Sequence, residues 1–225
     1  VSRKTYGDKE WEADFGYPDT GFTFVYQNTN NATLGEHFGL YGHYNFYFFN
    51  RKVQLRVAQG LAYNTNPYDK NENFRNNAYG SHILSSTTLM FNYHQRIVSG
   101  LGLDAGLAFI HYSNANFKAP NTSTNTFAVN FGLSYELDSD TTYEYLHPES
   151  KGVINEPVRY NLVLRGGANE SDVINMGRYG FAIVSAYADK RLGKRSAIQL
   201  GTDVFFSNFL KELIRYQSIA FPELD

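Results

Sequence analysis

Residues 37–50 read HFGLYGHYNFYFFN, and the period of that stretch is two. Phe38, Leu40, Tyr44, Phe46 and Phe48 fall on one side of an extended chain. His37, Gly39, Tyr41, His43 and Asn45 fall on the other. A helix would need apolar residues three and four apart; alternation is the pattern of a strand with two unlike faces. The same reading holds at 53–63, where Val53, Leu55, Val57, Leu61 and Tyr63 alternate with Gln54, Arg56, Ala58, Gly60 and Ala62. Further alternating runs occupy 85–98, 101–113, 126–137, 158–168, 179–190 and 196–206. Each is about ten residues or longer, whereas strands of soluble proteins average about 5–6. A soluble sandwich or lipocalin-like barrel would turn its apolar face inward and use shorter strands. Long strands whose second face is glycine, small and polar predict an all-β, antiparallel transmembrane β-barrel.

Composition agrees with this. The chain of 225 residues is 42% hydrophobic, too rich to be disordered. Its 18 Tyr and 18 Phe suit strands and membrane interfaces. A net charge of −2 provides no basic field for nucleic acid. The lack of cysteine excludes disulfides, thiolate nucleophiles and thiolate metal sites. No apolar run is long enough for a transmembrane helix.

The connections alternate in length. Residues 49–52, 98–100 and 192–196 are short; 64–80, 114–125 and 169–177 are long and polar. Outer-membrane barrels place short turns in the periplasm and long loops outside. The stretch 138–157 is long yet falls on the short-turn side, and nothing in the sequence accounts for it. Residues 1–225 are read as a single barrel domain with nine long strands between Gly21 and Phe206. Phe209, Leu210, Leu213 and Ile214 have helical spacing and predict a short helix after the last strand. Val1–Trp11 reads as the tail of a strand entering a tight turn. An odd strand count leaves open edges, so the expectation is a fragment, incomplete at both ends, of a barrel of about 10–12 strands. In the alternative, residues 1–20 supply a tenth strand and close the barrel.

A candidate site follows from parity. In LGLDAGLAFIHYS (101–113), Leu101, Leu103, Leu107 and Phe109 are odd and form the outward face; His111 and Ser113 are odd too. On the next strand Phe127, Val129, Phe131, Leu133 and Tyr135 face outward, and so does Asn125. A hairpin joins the strands, which places Asn125 within reach of His111 at the loop-rich end. A His–Ser–Asn group at the outer lipid boundary makes poor packing and a reasonable site for a substrate that is itself a lipid.

The stretch HYSNANFKAPN (111–121) resembles the active-site segment of the lipid A 3-O-deacylases, the PagL-like outer-membrane esterases. GDKEWEADFGYPDTG, GLYGHYNF and NPYDKNENFRNNAYGSH upstream are similar to acyloxyacyl-hydrolase-type barrels, so the resemblance covers roughly residues 6–137. It implies a serine esterase of the bacterial outer membrane acting on lipid A of outer-leaflet lipopolysaccharide, without cofactor or metal. It assigns Ser113 as nucleophile and His111 as base, and matches Asn114 and Asn121 to the family's two asparagines. The oxyanion would be held by Asn121 or by a backbone N–H near Asn114 and Ala115. Where the best-known members carry the triad's Glu, this chain has Asn125. An Asn can hold the histidine tautomer but supplies no charge to the imidazolium, a change that cost about 10⁴ in rate in a serine protease. The alternative is therefore a weak or inactive barrel serving as an accessory subunit of an outer-membrane complex, with protein partners. Of the other titratable residues, His37, His43, His82 and His94 read as lumen hydrogen-bonders, His147 as a loop residue, and Glu10, Glu12, Asp14 and Asp19 as a solvated acidic stretch.

Overall fold

The computed structural model describes residues 1–137, 139, 144–147, 156–171 and 173–224. It is all-β and antiparallel. In chain order the elements are β1 (Ser2–Arg3), α1 (Glu10–Asp14), β2 (Asp19–Asn28), β3 (Glu36–Phe48), β4 (Val53–Asn64), β5 (Ile83–Val98), β6 (Leu101–Ser113) and β7 (Thr124–Tyr135). After these come β8 (Arg159–Glu170), β9 (Arg178–Arg191), β10 (Ala197–Ser207) and α2 (Phe209–Ala220). The helix expected after the last strand is α2. Most of the long 138–157 connection lies outside the described residues.

The chain divides into two compact units. The first comprises Val1–Asn66, His82–Ser113 and Ser123–Ser150, and holds a seven-stranded meander ordered β1 to β7. The second comprises Pro67–Ser81, Asn114–Thr122 and Lys151–Asp225, and holds the three-stranded sheet β10–β9–β8 and α2. Neither sheet closes on itself: β1 and β7 are the outer strands of one, β8 and β10 of the other.

The faces of the seven-stranded sheet are inverted relative to a soluble protein. On β3 the buried positions are His37, Gly39, Tyr41, His43 and Asn45, while Phe38, Leu40 and Tyr44 are exposed. On β7 the apolar residues are barer still, with Phe127 82%, Phe131 78% and Leu133 73% exposed. Burial is otherwise the rule for such side chains, and an apolar face of this extent marks a surface covered by something apolar. The buried face is a polar network. Tyr41 donates to Ser86 Oγ at 3.0 Å, and His43 lies 2.8 Å from Ser2 Oγ and 2.7 Å from Thr23 Oγ1. His94 Nδ1 lies 2.8 Å from Asp104 Oδ1.

Three sequence expectations need correction. The N-terminal segment begins as a strand tail, β1, paired with β2 through Ser2–Gly21 and Arg3–Thr20, but it leads into α1 and not into a tight turn. Two members of the acidic stretch are not solvated. Glu12 is buried and accepts the Gly7 N–H, and Asp19 is buried against Arg51 at 2.7 Å and the Tyr47 hydroxyl at 2.5 Å. Buried carboxylates need such partners. His82, expected in the lumen, is exposed just before β5 and stacks on Tyr63 at 5.1 Å.

If the exposed apolar face is lipid-covered, Phe131→Arg, midway between Phe127 and Tyr135 on β7, costs about 2–4 kcal/mol. Reversible unfolding from lipid vesicles measures this. On a water-exposed face the same change would alter stability by no more than about 0.5 kcal/mol.

Candidate active site

Tyr112 decides where its neighbours point. Its side chain is fully buried, stacked on His37 with ring centroids 4.4 Å apart, and its hydroxyl lies 3.3 Å from that of Tyr41. Successive strand residues face opposite ways, so an inward Tyr112 turns His111 and Ser113 outward. The inner network also reaches the histidine's backbone, since Ser86 Oγ donates to the His111 carbonyl at 2.9 Å.

On the outer face, His111 stands directly opposite Asn125 in the β6–β7 ladder. His111 Nδ1 lies 2.7 Å from Asn125 Oδ1. An amide oxygen is an acceptor only, so Nδ1 carries the proton and Nε2 is the unprotonated nitrogen of the neutral ring. One ladder step away, Phe109 and Phe127 pack at 5.0 Å. Ser113 is half-buried and stands opposite Ser85 on β5. The outer-face row of Thr87, His111 and Asn125 runs straight across β5, β6 and β7.

Asn114 and Asn121 belong to the second unit, in the connection between β6 and β7. They hold one another: the Asn114 N–H donates to Asn121 Oδ1 at 2.9 Å, so that N–H is engaged. Asn121 Nδ2 donates to Asn116 Oδ1 at 2.6 Å, and Asn114 Nδ2 donates to the Lys118 carbonyl at 2.5 Å. Ala115 and Asn116 take positive φ values of 54° and 56°, which close the turn. Buried Glu170 at the end of β8 accepts the Ala119 N–H at 3.1 Å. A cavity of about 520 Å³ in the same unit is lined by Lys70, Lys118 and Arg178 together with Asp69 and Glu170. Hydrogen bonds from the Glu72 and Asn71 N–H groups hold the Asp69 carboxyl below its usual range. These cations come from two separate loops and the start of β9, so no local sequence pattern could have announced them.

Residues 1–134 match the model of the family described as lipid A 3-O-deacylase (PagL). That is more than half of the 225 residues, and it contains every candidate site residue. The chain belongs to the PagL family. The match ends within β7, so β8, β9, β10 and α2 lie beyond it. Neither curated proteins nor solved structures match the chain significantly. Within the PagL match, the outward presentation of His111 and Ser113 rests on Tyr112. Tyr112→Ala costs about 3–5 kcal/mol, as for other large buried side chains, whereas Tyr112→Phe costs about 1 kcal/mol. Urea unfolding in detergent micelles distinguishes the two.

Proposed function

We propose that this protein is an outer-membrane esterase that removes an ester-linked acyl chain from lipid A, with Ser113 as nucleophile and His111 as base. The observation that carries the reading is the 2.7 Å pairing of His111 Nδ1 with Asn125 Oδ1 on the exposed face of the sheet. That bond would hold the tautomer whose bare Nε2 can take a proton. Membership of the PagL family supplies the substrate class. The strands would close as one antiparallel barrel, because edge N–H and C=O groups cannot be satisfied in hydrocarbon.

The chemistry is acyl transfer in two steps. As Ser113 Oγ attacks the ester carbonyl, His111 Nε2 takes the hydroxyl proton. The tetrahedral oxyanion collapses, the sugar oxygen leaves with the proton returned by His111, and the acyl chain stays on Ser113. Water, deprotonated by the same nitrogen, then releases the fatty acid and restores the serine. Asn121, or an N–H beside Asn114 and Ala115, is the proposed oxyanion donor, as the family motif implies. Lipid A would enter from the outer leaflet along the exposed apolar face.

A second reading is favoured by one residue. Asn125 lacks the charge that would stabilise an imidazolium, so a barrel with little activity, retained as an accessory subunit of an outer-membrane complex, fits the same fold.

Ser113→Ala should abolish release of fatty acid from lipid A in detergent while leaving the unfolding midpoint unchanged. Mass spectrometry of the lipid reads the first, and release at the parent rate by this variant ends the serine-nucleophile reading. Asn125→Glu should raise kcat/KM at least tenfold, recovering part of the factor of about 10⁴ that loss of this charge costs in serine proteases. An unchanged rate would mean that position 125 does not act on the histidine during turnover.

A further inference from the structure

The outer face of the first unit carries more polar residues than the proposed catalytic set needs. The ladder places Gln59 opposite Thr87, Thr87 opposite His111, and Ser85 opposite Ser113. Gln59 Nε2 donates to Ser85 Oγ at 3.0 Å, and the Thr87 hydroxyl donates to Gln59 Oε1. These three side chains continue the outward row of His111 and Asn125 onto β4.

The patch is an island and not the upper rim of the apolar band. One step below it on the same face stand Val57, Leu89, Phe109 and Phe127. Beside and above it on β4 and β5, the exposed face is apolar again, with Leu61 63%, Tyr63 46% and Ile83 57% exposed. Polar groups within a lipid-facing band are costly unless they are paired, and where they occur they mark function. The next outward position beside Gln59 is Gly42, where an added Cβ would meet nothing within 4 Å, so the surface there is open.

The donor and acceptor inventory says what the island can bind. Ser85 Oγ accepts from Gln59 and so keeps its own proton for another acceptor. The Gln59 carboxamide uses one N–H and one lone pair within the network, which leaves one of each. Two donors beside one acceptor complement the C=O and N–H of a secondary amide. We infer that Gln59 and Ser85, steadied by Thr87, form a subsite that binds an amide group next to the scissile ester of an acylated amphiphile. Ser85, directly across the ladder from Ser113, would bring that amide beside the nucleophile; paired Cβ atoms on facing strands lie about 4.5–5.5 Å apart. The inference rests on the esterase reading for its substrate and on the ladder for its geometry.

The test uses the full chain in detergent micelles and two matched diacyl esters, one bearing a secondary amide beside the ester and one with an ether in its place. The parent should cleave the amide compound with a KM about tenfold lower, the worth of one or two hydrogen bonds. Gln59→Leu and Ser85→Ala should each lose most of that preference and leave the ether compound's kinetics unchanged. Leucine on an apolar face should not impair folding, which the heat-dependent gel shift of the barrel checks. Equal KM values in the parent, or an equal loss on both compounds in Gln59→Leu, overturns the subsite. A binding arm separates this from the esterase reading: Ser113→Ala should bind the amide compound about tenfold more tightly than Ser113→Ala/Gln59→Leu. If the parent cleaves neither compound, the esterase reading fails and this ratio alone decides; a ratio near one refutes the subsite.

Discussion

The orientation of Tyr112 is the constraint on which the rest of this site depends. A strand has only two faces, and a one-residue slip exchanges them along its whole length. Tyr112 fixes the choice for β6: its ring is stacked against His37 in the buried network, and its hydroxyl reaches that of Tyr41. With that ring inside, His111 and Ser113 can only face out, and the β6–β7 register sets His111 opposite Asn125. The polar interior is thus the anchor for an exterior site. The usual arrangement of a soluble enzyme, in which an apolar core supports a polar cleft, is reversed.

Much of this was legible in the sequence because a period of two carries over directly into three dimensions. The strands at 36–48, 53–64 and 101–113 end within a residue or two of where alternation stops. The facing of His111, Ser113 and Asn125 needed only a parity count. What alternation could not convey was pairing. Gln59, Ser85 and Thr87 each interrupt an otherwise apolar outward face, but on separate strands such gaps look like ordinary irregularities. Only the register brings them to adjacent levels, beside His111 and Ser113. Glu12 and Asp19 were misread for a related reason. Their partners are set by a bend at Gly7 for the one, and for the other by Tyr47 on β3 and Arg51 in the turn after it, 28 and 32 residues along the chain.

The family match and the structure contribute different things. The match, over residues 1–134, supplies a chemistry and a substrate class. The structure supplies a surface suited to the proposed chemistry, since the His111–Asn125 pair adjoins the Phe109–Phe127 pair on one face. An ester carbonyl joins a polar headgroup to a hydrocarbon chain, and it needs a surface that changes character over one ladder step. Asn125 keeps the geometry of such a pair and gives up its charge.

The exposed face on which the site stands has a kinetic consequence. An enzyme with a cleft meets its substrate by diffusion in three dimensions, and its occupancy follows bulk concentration. Here the encounter would be lateral, between two components of one sheet of fluid, so that occupancy follows mole fraction at the surface. Dilution of the whole sample leaves such a rate unchanged, whereas added inert amphiphile lowers it by spreading the same molecules over more area. The chain would then report the crowding of its own leaflet.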